Sequence, residues 1–264
     1  MQEFSYPSDG TRLYAVEDGR GSAVVMAHGG GADHRAVLPV VASLSAHYRV
    51  ITPDLRGSGK SWCREPLTWD RFANDTCALL DHTGTERAVV GGKSMGAGVA
   101  LRFARRFPRR TAGLVMVSPV YRGQELGLTE YQAATFGALD LVLARVAEEG
   151  VEGFRPLYQK SPGMEAYFDA MIGSLDLASF VATNKFMASG VQPFVSGADL
   201  EAISVPTLLV PGNDLMHPRE VSDFYAARIP QCVIAELPDT ADFDSRNMAT
   251  AAAIAGFCER RAMW

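Results

Sequence analysis

The strongest chemical signal in the chain is Gly92-Lys93-Ser94-Met95-Gly96. It follows an apolar β-branched run at 88–90 and precedes a helical stripe of Val99, Phe103 and Phe107 that stops at Pro108, so Ser94 is expected on a sharp strand-to-helix turn. Flanking glycines relieve crowding at such a turn, and the helix N-terminus favours negative charge beside the serine. Gly91, Ala97 and Gly98 add small side chains where that helix must approach a sheet closely. A serine so placed suits nucleophilic attack at a carbonyl carbon. A neutral hydroxyl is a poor nucleophile without a base, however, and the bases are few: the five histidines are His28, His34, His47, His82 and His217. Lys93 could move protons if it were desolvated; a solvated lysine packed under a lid is the simpler reading.

The frame for this turn is an alternation of short apolar runs with helical patterns. Runs at 23–27, 49–53, 88–90, 114–117, 207–210 and 232–237 read as strands. Between them, Trp69, Phe72, Ala73, Thr76 and Leu80 mark a helix ending near Gly84, and Met248, Ala252, Ala255 and Phe257 mark the last one. The alternation predicts an α/β fold with a mainly parallel central sheet flanked by helices. The rhythm breaks after Pro119. From about 120 to 200 the strand pattern vanishes, and helical stretches such as 139–149 and 166–175 are separated by Gly and Pro. We read residues 1–119 and 201–264 as the core and 120–200 as a helical insertion. The insertion is rich in bulky apolar residues, among them Tyr158, Phe168, Phe180, Phe186 and Met187. Most are expected to pack it onto the core, and a minority to line an apolar pocket.

The Ser94 turn, the loop His28-Gly29-Gly30-Gly31 after the run at 23–27, and the turn Asp54-Leu55-Arg56-Gly57-Ser58-Gly59-Lys60-Ser61 together resemble the α/β-hydrolase superfamily. The resemblance covers essentially the whole chain outside the insertion. It implies an α/β-hydrolase fold with an inserted helical lid, Ser94 as nucleophile, and the backbone N–H groups of Gly30 and Met95 as an oxyanion hole beside Gly29. His28 is then a brace for that loop rather than a base. Asp214, in Gly212-Asn213-Asp214-Leu215-Met216-His217-Pro218, falls where the superfamily carries its triad acid, and the order Ser94 then Asp214 is the superfamily's order.

The triad histidine should follow Leu237-Pro238. Asp239-Thr240-Ala241-Asp242-Phe243-Asp244 stands there instead, and no histidine lies beyond His217. Three readings stay open. The chain is an inactivated variant whose histidine was replaced, at Ala241 or, by register with the following Phe243, at Asp242. Alternatively another base serves Ser94: His217, otherwise a loop residue beside Pro218, or Asp242 with its pKa raised by burial. In the third reading Ser94 only donates a hydrogen bond to substrate, and the scaffold supports cofactor-free lyase, decarboxylase or cyclase chemistry or a ligand-binding homologue without catalysis.

The favoured expectation is hydrolysis at a carbonyl centre, in an ester, amide or activated carbon–carbon bond of a small apolar or aromatic molecule. Neither a metal nor an organic cofactor is implied. Gly59-Lys60-Ser61 mimics the end of a phosphate-binding loop, but that motif needs glycine where Asp54 stands, and a carboxylate there would repel phosphate. At 264 residues, 47% apolar and 21% charged, the chain has the composition of one soluble globular domain. A net charge of -5 argues against a nucleic-acid partner. Arg105, Arg106, Arg109 and Arg110 read as a solvated face at a helix end, where the dipole favours cations. No basic leader and no apolar run of roughly twenty residues is present, so no membrane partner is expected and the cytoplasm is the expected location. Cys63, Cys77, Cys232 and Cys258 lack the spacing of zinc or disulfide frameworks and read as buried thiols. The sequence carries no signal for an oligomeric state.

Overall fold

A computed structural model describes residues 1–120, 126, 129–158, 164–238 and 243–260. Eight strands form one sheet in the order β1-β2-β4-β3-β5-β6-β7-β8. They are β1 (Gln2–Ser8), β2 (Thr11–Asp18), β3 (Ala23–Ala27), β4 (Arg49–Pro53), β5 (Ala88–Lys93), β6 (Thr111–Val117), β7 (Thr207–Val210) and β8 (Cys232–Ile234). From β4 to β8 all pairings are parallel, whereas β1 and β2 pair antiparallel with each other and β2 with β4. The sequence reading has no counterpart of β1 and β2. Their hairpin closes on Asp9-Gly10, both at positive φ (42° and 78°), the two-residue turn that Asp-Gly favours.

The helices are α1 (Leu38–Leu44), α2 (Trp69–His82), α3 (Met95–Arg106), α4 (Glu130–Glu149), α5 (Arg155–Tyr158), α6 (Met164–Ile172), α7 (Leu177–Ala188), α8 (Gly197–Glu201), α9 (Arg219–Ala226) and α10 (Phe243–Arg260). Strand alternation divides the core between two faces. Val25 and Val90 pack with α2, α3 and α9 through Leu79, Leu101, Phe103 and Phe224. Val24 and Val89 pack with α1 and α10 through Val41, Leu44, Ile254 and Phe257. β5 and β6 run longer than their apolar cores suggest, and β8 stops at Ile234 rather than reaching 237. Met248, expected in the buried stripe of the last helix, is exposed. The arginines near the end of α3 are more than a solvated face: Arg105 pairs with Asp199, Arg106 with Asp70 and Arg110 with Asp81.

Between β6 and β7 the described residues contain helices only. α4 begins at Glu130, nine residues before the expected start, because Thr129 and Gln132 form a capping box. This segment has its own apolar cluster, with Val146, Phe154, Phe168 and Phe180 at its centre. It is anchored to the core by polar contacts: Tyr158 donates to the Gly31 carbonyl, Thr183 to the Gly57 carbonyl at 3.0 Å, and Arg64 pairs with Asp176.

The Asp54 to Ser61 turn is built around a buried carboxylate. Asp54 accepts the backbone N–H of His34 (2.8 Å), His34 Nδ1 (2.7 Å) and the backbone N–H of Lys60 (2.8 Å). Burial pushes this carboxyl up, but the bond and charge from His34 outweigh it and hold it below its ordinary value. A Cβ on Gly59 would sit 2.3 Å from Asp54 Oδ2, so only glycine fits. Lys60 Nζ meets Glu3 and Tyr14, in keeping with a scaffold turn rather than a phosphate cradle. Among the described residues no helix is long and apolar enough to cross a membrane. All four cysteines are free thiols, but only Cys63 and Cys258 are buried as expected; Cys77 and Cys232 are half-buried.

Candidate active site

Ser94 joins β5 to α3 with φ 53° and ψ -115°, a strained backbone for a residue with a side chain. Its N–H donates to the Val117 carbonyl at 2.9 Å, pinning the turn to the end of β6. The neighbouring glycines are required by close approach. A Cβ on Gly92 would lie 2.4 Å from the Gly96 carbonyl carbon, and one on Gly96 would lie 2.5 Å from the carbonyl oxygens of Ala27 and His28. The first turn of α3 therefore rests directly on β5 and on the end of β3, leaving the hydroxyl at the C-terminal edge of the sheet.

His217 meets that hydroxyl. Its Nε2 is 3.0 Å from Ser94 Oγ, while Nδ1 is 2.9 and 3.0 Å from the two carboxylate oxygens of Asp214. A carboxylate only accepts, so Nδ1 carries a hydrogen, and in the neutral tautomer this leaves the Nε2 lone pair facing the serine O–H. Partial desolvation pushes the Asp214 carboxyl up, but the bond and charge from the His217 side chain and the N–H groups of His217 and Met216 prevail. Its pKa is held at about 2, so the acid is ionised at neutral pH. The His217 side chain is 14% exposed and that of Asp214 55%: the ring is enclosed while the acid meets solvent. Gly212 makes room for the arrangement, since a Cβ there would lie 2.3 Å from His217 Cβ.

Acid and imidazole thus share one tight loop after β7, three residues apart, whereas the resemblance places the histidine after β8. Of the bases left open by the sequence, the structure brings His217 to Ser94 with Asp214 behind it. Ala241 and Asp242 lie outside the described residues. A compact Asp-x-x-His spacing was the available signal for this pairing, since Asp side chains readily accept from backbone N–H groups two and three residues on.

A buried side chain from α4 holds this loop. Gln132 is 1% exposed; its Oε1 accepts the Thr129 N–H at 3.0 Å and its Nε2 donates to the Met216 carbonyl at 2.9 Å. No pattern in the sequence marks this contact, which spans 84 residues. Gln132→Glu keeps the helix cap but sets a carboxylate against the Met216 carbonyl. It is expected to lower kcat about tenfold, equivalent to ~1.4 kcal/mol, with little change in KM. Steady-state kinetics on an activated ester checks this; an unchanged kcat would show that the loop holds its place without Gln132.

The loop that the resemblance assigns to the oxyanion lies beside Ser94. A Cβ on Gly29 would come 3.4 Å from Ser94 Cβ, and one on Gly30 would overlap Met187 Sδ of α7 at 1.8 Å. Met95 begins α3, whose first N–H groups have no intrahelical acceptor. His28 is fully buried: Nδ1 donates to the Gly29 carbonyl at 2.7 Å and Nε2 accepts the Leu55 N–H at 2.9 Å. Burial lowers its pKa, and both nitrogens are engaged in holding two loops together. Lys93 is neither solvated nor under the helical insertion as expected: it lines a small separate cavity with Met26, Val37 and Arg246 of the core, its Nζ 5.9 Å from the centroid of the Phe243 ring. Desolvation lowers its pKa, against the charge of Asp214.

Ser94 and His217 open into a cavity of about 460 Å³ shared by the core and the helical segment. Its apolar walls include Trp69, Leu139, Phe186, Met187, Val191 and Pro193, and none of its described lining residues is Asp, Glu, Lys or Arg.

A family model described as the alpha/beta hydrolase family matches residues 24–250, and the chain belongs to that family. It is 30% identical over 158 residues to a 2-hydroxy-6-oxo-6-phenylhexa-2,4-dienoate hydrolase of Burkholderia cepacia, a stretch covering 55% of this chain and 52% of that protein. The chain thus spans about half the length of such relatives. Among solved structures, a thermophilic esterase from Thermogutta terrifontis superposes with a TM-score of 0.77 at 26% identity, covering 99% of each chain. An enol-lactonase from Burkholderia xenovorans LB400 shares the fold, with a TM-score of 0.75 at 21% identity over 97% of this chain and 99% of that one.

Proposed function

We propose that the protein is a serine hydrolase acting on small esters with largely apolar or aromatic bodies. The single observation that carries this reading is the 3.0 Å contact between His217 Nε2 and Ser94 Oγ, with ionised Asp214 on the far side of the ring. Ser94 Oγ attacks the carbonyl carbon as its proton passes to His217 Nε2. The carbonyl oxygen gains negative charge, stabilised by the N–H groups of Gly30 and Met95. Asp214 keeps Nδ1–H oriented and stabilises the imidazolium. Collapse of the tetrahedral intermediate expels the alcohol, which takes the proton from Nε2 and leaves an acyl-serine. Water, deprotonated by the same nitrogen, then releases the acid and restores Ser94.

The apolar walls and the absence of charged side chains among the described lining residues favour a neutral substrate. The names of two relatives are compatible with the proposed chemistry: one is an esterase and one a hydrolase of a phenyl-bearing dienoate. In this reading the helices between β6 and β7 serve as a lid that walls the cavity and keeps bulk water from it.

A fluorophosphonate probe is expected to label Ser94, with labelling and turnover of p-nitrophenyl esters both lost in Ser94→Ala. An unlabelled Ser94 in a chain that still converts a substrate would overturn the reading in favour of non-hydrolytic chemistry on the same scaffold. Binding of apolar ligands without any turnover would overturn it in favour of a ligand-binding protein.

A further inference from the structure

Helix α7 turns Phe180, Thr183, Asn184 and Met187 toward the core, the i, i+3, i+4, i+7 face of a helix. Three of the four are accounted for. Phe180 belongs to the apolar cluster of its segment, Thr183 bonds to the Gly57 carbonyl, and Met187 covers Gly30. Asn184 is different, because it is a carboxamide with 3% exposure on the wall of the cavity that holds Ser94 and His217.

Its orientation is determined by chemistry. Nδ2 donates to the Phe180 carbonyl at 2.8 Å. A carbonyl cannot donate, so the amide cannot be reversed without losing this bond, and Oδ1 is the end turned away from the helix backbone. That oxygen accepts no hydrogen bond from the described residues, yet it is not sealed off in the protein. Asn184 therefore offers the cavity a fixed, neutral acceptor on a lining that is mainly apolar but also carries Tyr131, Thr135 and Gln192. A wholly apolar substrate would strand it when the cavity fills, whereas a substrate with a hydroxyl at that point would satisfy it. A carboxylate there would be repelled by the same oxygen.

We propose that Asn184 is a specificity-determining residue, whose Oδ1 selects esters carrying a neutral hydroxyl on an otherwise apolar acyl chain. The proposal rests on the serine-hydrolase reading and deepens it by naming a polar handle that the substrate must present. Such a site discriminates more sharply than a purely apolar pocket, because the penalty falls on the analogue that lacks the group.

The test compares p-nitrophenyl esters of straight-chain acids of four to eight carbons with their terminally hydroxylated counterparts. At one chain length or more, the hydroxylated ester is expected to show at least tenfold higher kcat/KM with the unaltered protein. Asn184→Leu, close in volume, should erase that preference while the plain ester is still hydrolysed. Equal kcat/KM for the two series at every length overturns the proposal without recourse to any variant. A preference that persists in Asn184→Leu overturns it as well. Hydrolysis of neither series, with Ser94 unlabelled by a fluorophosphonate, overturns the hydrolase reading itself and the proposal with it.

Discussion

Replacing His217 with alanine is expected to lower kcat on an activated ester by roughly 10⁴- to 10⁶-fold, since removing the base from a serine–histidine unit costs nearly as much as removing the unit. Asp214→Asn should cost roughly 10⁴-fold, because an amide in place of the carboxylate lets the ring adopt the wrong tautomer and no longer stabilises the imidazolium. The physical basis is that Ser94 Oγ, both ring nitrogens of His217 and both oxygens of Asp214 form one chain of hydrogen bonds with links of 2.9 to 3.0 Å. Activity retained in His217→Ala would place the base elsewhere. The companion measurement is Ala241→His and Asp242→His, one at a time. Under the serine-hydrolase reading, in which His217 on the β7 loop is the base, neither is expected to raise kcat more than a few-fold. A large gain at either position would instead mark an inactivated chain with its histidine restored.

The second large effect is on stability. Asp75→Ala is expected to destabilise the fold by about 3–5 kcal/mol, because it leaves the buried Arg56 guanidinium with only the part-exposed Glu65 carboxylate, 3.6 Å from Nη1. Arg56 is fully buried, and its Nε and Nη2 bind the two Asp75 oxygens at 2.9 and 2.6 Å. The same carboxylate takes the Ser8 hydroxyl at 2.6 Å, and Nη2 reaches the Ser8 carbonyl at 3.2 Å, so β1, α2 and the Asp54 turn meet at one ion pair. For a chain of this size each kcal/mol shifts Tm by about 2–4 °C, so a drop on the order of 10 °C is expected in a thermal melt. Arg56→Met combined with Asp75→Leu should lose less than the single Asp75→Ala, since an apolar pair strands no charge. A fall below about 1 kcal/mol in the single variant would show that water reaches the guanidinium and that the pair carries little of the turn's stability.

This pair shows how unevenly the architecture is written in the chain. The Asp54-to-Ser61 motif is legible as a turn, but not the reason for its arginine, whose partner lies on α2 nineteen residues away. β1 and β2 alternate weakly and are interrupted by Pro7, and Asp9-Gly10, a strong hairpin signal, was the cue that could have located them. The four buried central strands were legible because helices cover both sheet faces, which turns them into unbroken apolar runs. The start of α4 was not, since Thr129 and Gln132 form an ordinary-looking capping box whose glutamine has a second task at Met216.

Local stereochemistry determined the Ser94 turn. An apolar strand, glycines where a Cβ would strike backbone, and a helix of small residues specify a strained serine at a strand end whatever the rest of the chain does. Local sequence also supplied Asp214 and His217 together, on a loop after a recognisable strand. Which base reaches the serine was decided by tertiary structure alone. Ser94 and His217 are 123 residues apart, and the 3.0 Å contact exists because β6 lies between β5 and β7 in the sheet, so that the β7 loop arches over the end of β6 to the turn after β5. A hydrogen bond of that reach depends on strand order, which is not encoded near either partner.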